Sequence, residues 1–240
     1  AQSAGTVGLF AAQQAAVILW RAAQPGSAGL GLASHYYDTM QIFVYLGFYL
    51  LTALAAGAAT HNSRRARSGY TWATLPGTPG QKFAAKAITI AAAELLFAAW
   101  QFVWYIVEFY PVTALEGWHR RQLYGAVLPA ANLYEQVVAN NLFARLLPRR
   151  PAQIVILLGI LALSAAMLAA LDTVCGWRKL PVFASGLFCA WVCFGIVSIE
   201  QHLEWLLDEP RYAFRIAVAV VLAVLTVWWA VRSIRRGEAA

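Results

Sequence analysis

Glu94 lies deepest among the acids in the apolar runs of this sequence, eight residues past Lys86 and so about 12 Å further along a helix. An ionisable group at that depth in hydrocarbon marks an ion path, a substrate contact or a proton relay, or else a carboxyl that locks packing through a hydrogen bond to a neighbouring helix. Trp100, Phe102 and Trp104 come after it and are candidate path-lining groups. A second set is imidazole. His35, His119 and His202 fall near the acids Asp38, Glu116, Glu200 and Glu204, and three imidazoles at one membrane face could bind a transition metal, or two could ligate haem. The competing reading is an interfacial belt in which the histidines accompany Trp118, Tyr36, Tyr37 and Trp205. Glu200 and Glu204 stand one helical turn apart, but His202 between them points to the opposite face, which weakens a Glu/His cluster. Cys189 and Cys193 share a face at i, i+4; with Cys175 they make an odd set of three, read as small buried side chains rather than a disulfide or redox framework.

No G-x-S-x-G, H-E-x-x-H or C-x-x-C pattern occurs, nor a P-loop: Gly77 to Lys82 has its glycines too close and lacks the terminal Lys-Ser/Thr pair. No catalytic site of the chain's own is expected.

The elements that must position these residues are membrane helices. Apolar residues make up 61% of the 240 and charged residues 12%, against about 45–50% and roughly 25% in soluble domains. The fold class is therefore all-α, a polytopic integral membrane helix bundle forming one transmembrane domain over 1–240. Five apolar runs can span about 30 Å of hydrocarbon: 39–59, 83–106, 152–171, 180–199 and 216–231. A sixth, 5–20, holds Gln13 and Gln14 and lacks the basic region of a signal peptide; it is a complete short span, the tail of a longer one or an interfacial helix, with a span the favoured reading. The stretch 110–151 contains Pro111, Pro129, Pro148 and Pro151 as well as Asn132, Glu135, Asn140 and Asn141. Unpaired polar groups are costly in hydrocarbon, so it is expected to be an outer interfacial or re-entrant region between the third and fourth of about six spans. Small residues at four-residue spacing, Ala53 with Gly57 and Ala162 with Ala166 and Ala170, suit close helix approach.

The net charge of +7 sits at the ends of apolar runs, which favours topology signals and lipid headgroups over nucleic acid. Arg64, Arg65, Arg67, Lys82, Lys86, Arg178, Lys179, Arg232, Arg235 and Arg236 fall on one side, mostly in short loops. Short loops weigh most in the positive-inside rule, so that side is placed in the cytoplasm, with both termini there if six spans form.

Between the second and third spans runs RRARSGYTWATLPGTPGQKFAAK, Arg64 to Lys86. It is basic and punctuated by glycine and proline, with a short amphipathic piece, Tyr70 to Leu75, between two turns. A piece so joined to two spans is suited to dock in a groove of a soluble partner. At this point the chain resembles the ABC-2 family of transporter permeases, in which the second span is followed by a charged segment, a Gly-Thr-like pair, a hydrophobic turn of helix, a Pro, and a Lys opening the third span. Gly69, Tyr70, Thr71, Trp72, Leu75, Pro76 and Lys86 stand in those places. The family's usual acid at the start of the segment is missing in His61-Asn62-Ser63, and the outer region is longer than expected. The resemblance implies a multi-pass subunit of the cell (plasma or inner) membrane with a coupling loop over 61–82, an ATP-binding cassette partner that carries the ATP, and a second permease chain, homo- or heterodimeric. It implies no cofactor on this chain, with Glu94, Trp100 and Trp104 the candidate translocation path. Two alternatives stand beside it: a redox, metal- or haem-binding subunit using His35, His119 and His202, and a non-catalytic subunit of a membrane complex.

Overall fold

The computed structural model describes residues 2–24, 31–61, 76–125, 132–140, 143, 151–174, 176–199 and 210–236, and every regular element among them is helical. Apolar segments without water must satisfy their backbone within themselves, and the helix does so. The elements are α1 (Gln2–Ala22), α2 (Gly31–Asp38), α3 (Gln41–His61), α4 (Pro79–Tyr124), α5 (Leu133–Ala139), α6 (Pro151–Thr173), a 3₁₀ turn (Gly176–Arg178), α7 (Lys179–Ile199) and α8 (Pro210–Arg235). Among the described residues three helices are long and apolar enough to cross a membrane, within α4, α6 and α8, and α2 with α3 makes a fourth if the bent pair is one span.

The bend is 71°. It arises at Thr39, whose hydroxyl and N–H both turn back to the His35 carbonyl, and at Met40, which takes the left-handed conformation with φ 52°. The expected second span therefore starts at Gln41 rather than Thr39.

Helix α4 departs furthest from expectation. Its start is set by a reciprocal cap: the Gln81 N–H donates to Thr78 Oγ1 at 3.3 Å, the Thr78 N–H donates to Gln81 Oε1 at 2.9 Å, and Pro79 supplies a fixed φ at the first position. The helix then runs 46 residues, about 69 Å, roughly twice the hydrocarbon thickness. The sequence alone ends this span at Ile106 and has Pro111 break the chain beyond it. Instead Pro111 lies inside the helix on its exposed side, where the cost is the Val107 carbonyl's lost N–H partner. Of the expected interfacial region beyond Gly125, the described residues hold α5, closed at its start by an Asn132–Glu135 capping box.

The chain divides into two compact units, Ala1–Thr52 with Glu94–Gln153, and Ala53–Ala93 with Ile154–Ala240. The first is packed with aromatic rings. Phe10 of α1 and Tyr45 of α3 each meet Phe97 of α4 at 5.3 Å, and Tyr105 takes Tyr36 at 5.0 Å on one side and Phe143 at 4.7 Å on the other. The second is packed with small residues: Ala53, Ala165, Ala169, Ala170 and Ala230 are buried together with Phe83, Ile90, Val174 and Val182. The inward row of α6 is Ala165, Ala169 and Thr173; of the expected Ala162, Ala166 and Ala170 only Ala170 is buried. Cys189 is buried against α8, its thiol directed to the Ala219 carbonyl, and Cys193 is half-buried; both are free.

Candidate functional site

One face of α4 is buried at helical spacing through Ile90, Glu94, Phe97, Gln101, Tyr105, Glu108, Val112, Glu116 and His119. The opposite face exposes Ile88, Leu95, Leu96, Val103 and Val107. Polarity is thus inverted relative to a soluble helix: carboxylates and amides face inward while leucine, isoleucine and valine face out. In water that exposure would drive association; against hydrocarbon it is the required arrangement, because ionisable groups must turn away from lipid. Glu94, Gln101 and Glu108 share the inward face because seven residues are nearly two turns.

The elements of the first unit that pack on this face complete a polar network. Tyr36 of α2 donates its hydroxyl to Glu108 Oε2 at 2.8 Å, and Gln14 of α1 donates to the same oxygen at 3.0 Å. The Tyr36 oxygen in turn accepts from the amides of Gln14 and Gln101, the latter at 3.2 Å. Gln14 and Gln101 are wholly buried, Tyr36 and Glu108 nearly so. The phenol is used in full, with two bonds accepted and one donated. The Gln14 and Gln101 Oε1 atoms have no hydrogen-bond partner among the described residues. Chemically, a buried carboxyl joined to a phenol and two amides can hold a proton or a cation and exchange it along a short chain of oxygens.

A second network lies just over two turns further along α4, at Glu116. Glu116 Oε1 accepts from the buried Gly31 N–H at 2.8 Å and meets His35 Nε2 at 2.9 Å; its Oε2 lies 3.9 Å from Arg120. The carboxylate thereby satisfies the first N–H of α2, where its charge is favoured. Gln136 of α5 accepts from the Ala33 N–H at 3.0 Å and its carbonyl takes the Tyr105 hydroxyl at 2.9 Å. These contacts fix α2, and with it Tyr36, on α4. Arg21 and Asp38 form a half-exposed ion pair at 3.2 Å.

Of the residues expected to do chemistry, Glu94 is buried. Trp100 and Trp104 stack on each other at 6.0 Å, with Trp100 exposed and Trp104 half-buried. Lys86, eight residues into α4, is buried in the second unit and ion-paired with Asp172 of α6. Pro76 is described, in the turn before the α4 cap; Gly69, Tyr70, Thr71, Trp72 and Leu75 lie outside the described residues, as does His202. His35 is engaged by Glu116, and His119 packs edge-on to Trp118 at 4.8 Å. Among the described residues no three His, Cys, Asp or Glu side chains group so as to hold a metal ion. Sequence reasoning passed over Gln14, Tyr36, Gln101 and Glu108 as a set. The available signal was the seven-residue spacing of polar residues along an otherwise apolar helix. Comparison of the chain with protein-family models, curated proteins and solved structures found no match.

Proposed function

We propose that this chain is the membrane-spanning permease subunit of an ATP-driven exporter of the ABC-2 type, working in the cell (plasma or inner) membrane with a separate ATP-binding cassette subunit and a second permease chain. The observation that carries the reading is the continuity between the segment that resembles the family's coupling loop and α4. The turn at Pro76–Thr78 ends in a capped helix start, and that same helix bears the inward-facing Glu94, Gln101 and Glu108. A displacement imposed on residues 64–82 by a partner would enter a stiff helix that carries the polar groups of the candidate path. On this reading α1, α3, α4, α6, α7 and α8, each of 21 residues or more, would be the six spans, of which α4, α6 and α8 are by themselves long and apolar enough to cross; an even number puts both ends on one side, the cytoplasmic one by the positive-inside rule. The absence of a P-loop pattern in the sequence assigns ATP hydrolysis to the partner. The transported species crosses as the two permease chains alternate between inward- and outward-open states.

The test is replacement of Tyr70–Leu75 by a Gly/Ser stretch of equal length in the complex purified with its ATPase. Loss of transport-linked ATP hydrolysis is the expected result. Unchanged coupling after the replacement would remove the assignment.

A further inference from the structure

At the carboxyl-terminal end of α8 a pocket of about 310 Å³ is lined by Arg178, Trp228, Trp229, Arg232, Ser233 and Arg236. Its volume is near the lower bound of small-ligand sites, about 300–1,000 Å³, which suits a headgroup better than a large solute. Arg178 comes from the 3₁₀ turn before α7 and the other five from α8 and its end, so the charge converges from two elements. Among the described residues no acid lines it. The Arg232 guanidinium lies over the Trp228 ring, 5.0 Å from its centroid, which holds one arm of the pocket in place.

We propose that this pocket binds the phosphate group of an anionic membrane lipid. Guanidinium forks match phosphate oxygens two at a time, and three of them around a small cavity favour a phosphate oxyanion over a lone carboxylate. A lipid headgroup and free phosphate share that chemistry, and the surface leading to the pocket favours the lipid. Val221, Val224, Leu225 and Trp228 expose 55%, 62%, 54% and 57% of their surface. Their spacing of three, one and three residues keeps them on one face of α8, and Arg232 lies one turn further on the same face. An acyl chain lying along this stripe brings its headgroup to the arginines. The tryptophans mark the level of the membrane–water boundary, where a phosphate resides. Basic pockets between membrane helices are a recurrent solution for anionic headgroups.

The test uses the full chain in detergent, titrated with phosphatidylglycerol or phosphatidylcholine, with bound lipid read by native mass spectrometry and inorganic phosphate as competitor. Phosphatidylglycerol should be retained in preference to phosphatidylcholine. The pair Arg178→Gln and Arg232→Gln should weaken it roughly twenty-five-fold, about fivefold for each lost arginine. The Arg178→Lys and Arg232→Lys pair, which keeps the charge and loses the fork, should weaken it less than tenfold. Displacement of the lipid by millimolar phosphate sustains a phosphate site open to a soluble source; no displacement sustains the lipid assignment. Equal retention of the two lipids by the parent, or parent-like binding by a monodisperse, helical Gln pair, would overturn the proposal.

Discussion

Replacing Lys86 by Met and Asp172 by Leu, singly and together, probes the ion pair that joins α4 to α6 within the second unit. The Lys86 side chain keeps 2% of its surface and that of Asp172 20%. Removing one partner of a buried pair costs about 3–5 kcal/mol because the other charge stays behind without water. The two singles should differ. Lys86→Met leaves a carboxylate that solvent still reaches, placing it near the low end, about 3 kcal/mol. Asp172→Leu leaves an ammonium with almost no exposure, placing it near about 5 kcal/mol. The double variant removes both charges and fills their volume with apolar atoms, and should fall within about 1–2 kcal/mol of the parent. The coupling between the sites is then several kcal/mol, far above the limit for independent residues. Reversible unfolding in mixed SDS micelles, followed by far-UV circular dichroism, measures all four. A double variant as unstable as the sum of the singles would refute the reasoning, as would singles that each cost less than about 1 kcal/mol.

In the first unit, Tyr36→Phe removes a donor to Glu108 and the acceptor of the buried Gln101 amide, while Gln14 keeps its bond to Glu108, so it should cost about 2–3 kcal/mol in the same assay. Gly31→Ala forces a side chain into a φ of +77° with its Cβ 2.6 Å from Gln136 Oε1, and should cost about 2 kcal/mol together with the loss of Gln136 from the Ala33 N–H. Asn132→Ala opens the capping box of α5 and should cost about 1 kcal/mol, visible as faster amide exchange over residues 133–136.

The parts of the fold legible in sequence were those with uniform surroundings. The runs behind α3, α6, α7 and α8 are uncharged throughout and mostly apolar, and their length identifies them as helices. What stayed hidden depended on partners distant in the chain. Glu108 and Glu116 read as the edge of a loop because polar residues in hydrocarbon need partners, and theirs are Gln14, Tyr36 and His35, which lie 72 to 94 residues away. Once those partners are present the helix has no reason to stop at Ile106. Lys86 was legible as a landmark but not as half of an ion pair, since Asp172 lies near the far end of another helix. Glu94 stood out because a lone acid in a long apolar run is conspicuous. Gln101 did not, because an uncharged amide beside Trp100 breaks no pattern.

The most direct test places a single cysteine at Trp72, in a background with Cys175, Cys189 and Cys193 replaced by alanine, and treats native membranes with a thiol crosslinker and separately with a membrane-impermeant thiol reagent. The account predicts crosslinking to an ATP-binding chain and no labelling from outside the sealed membrane. Labelling from the exterior with no nucleotide-binding chain captured would contradict it.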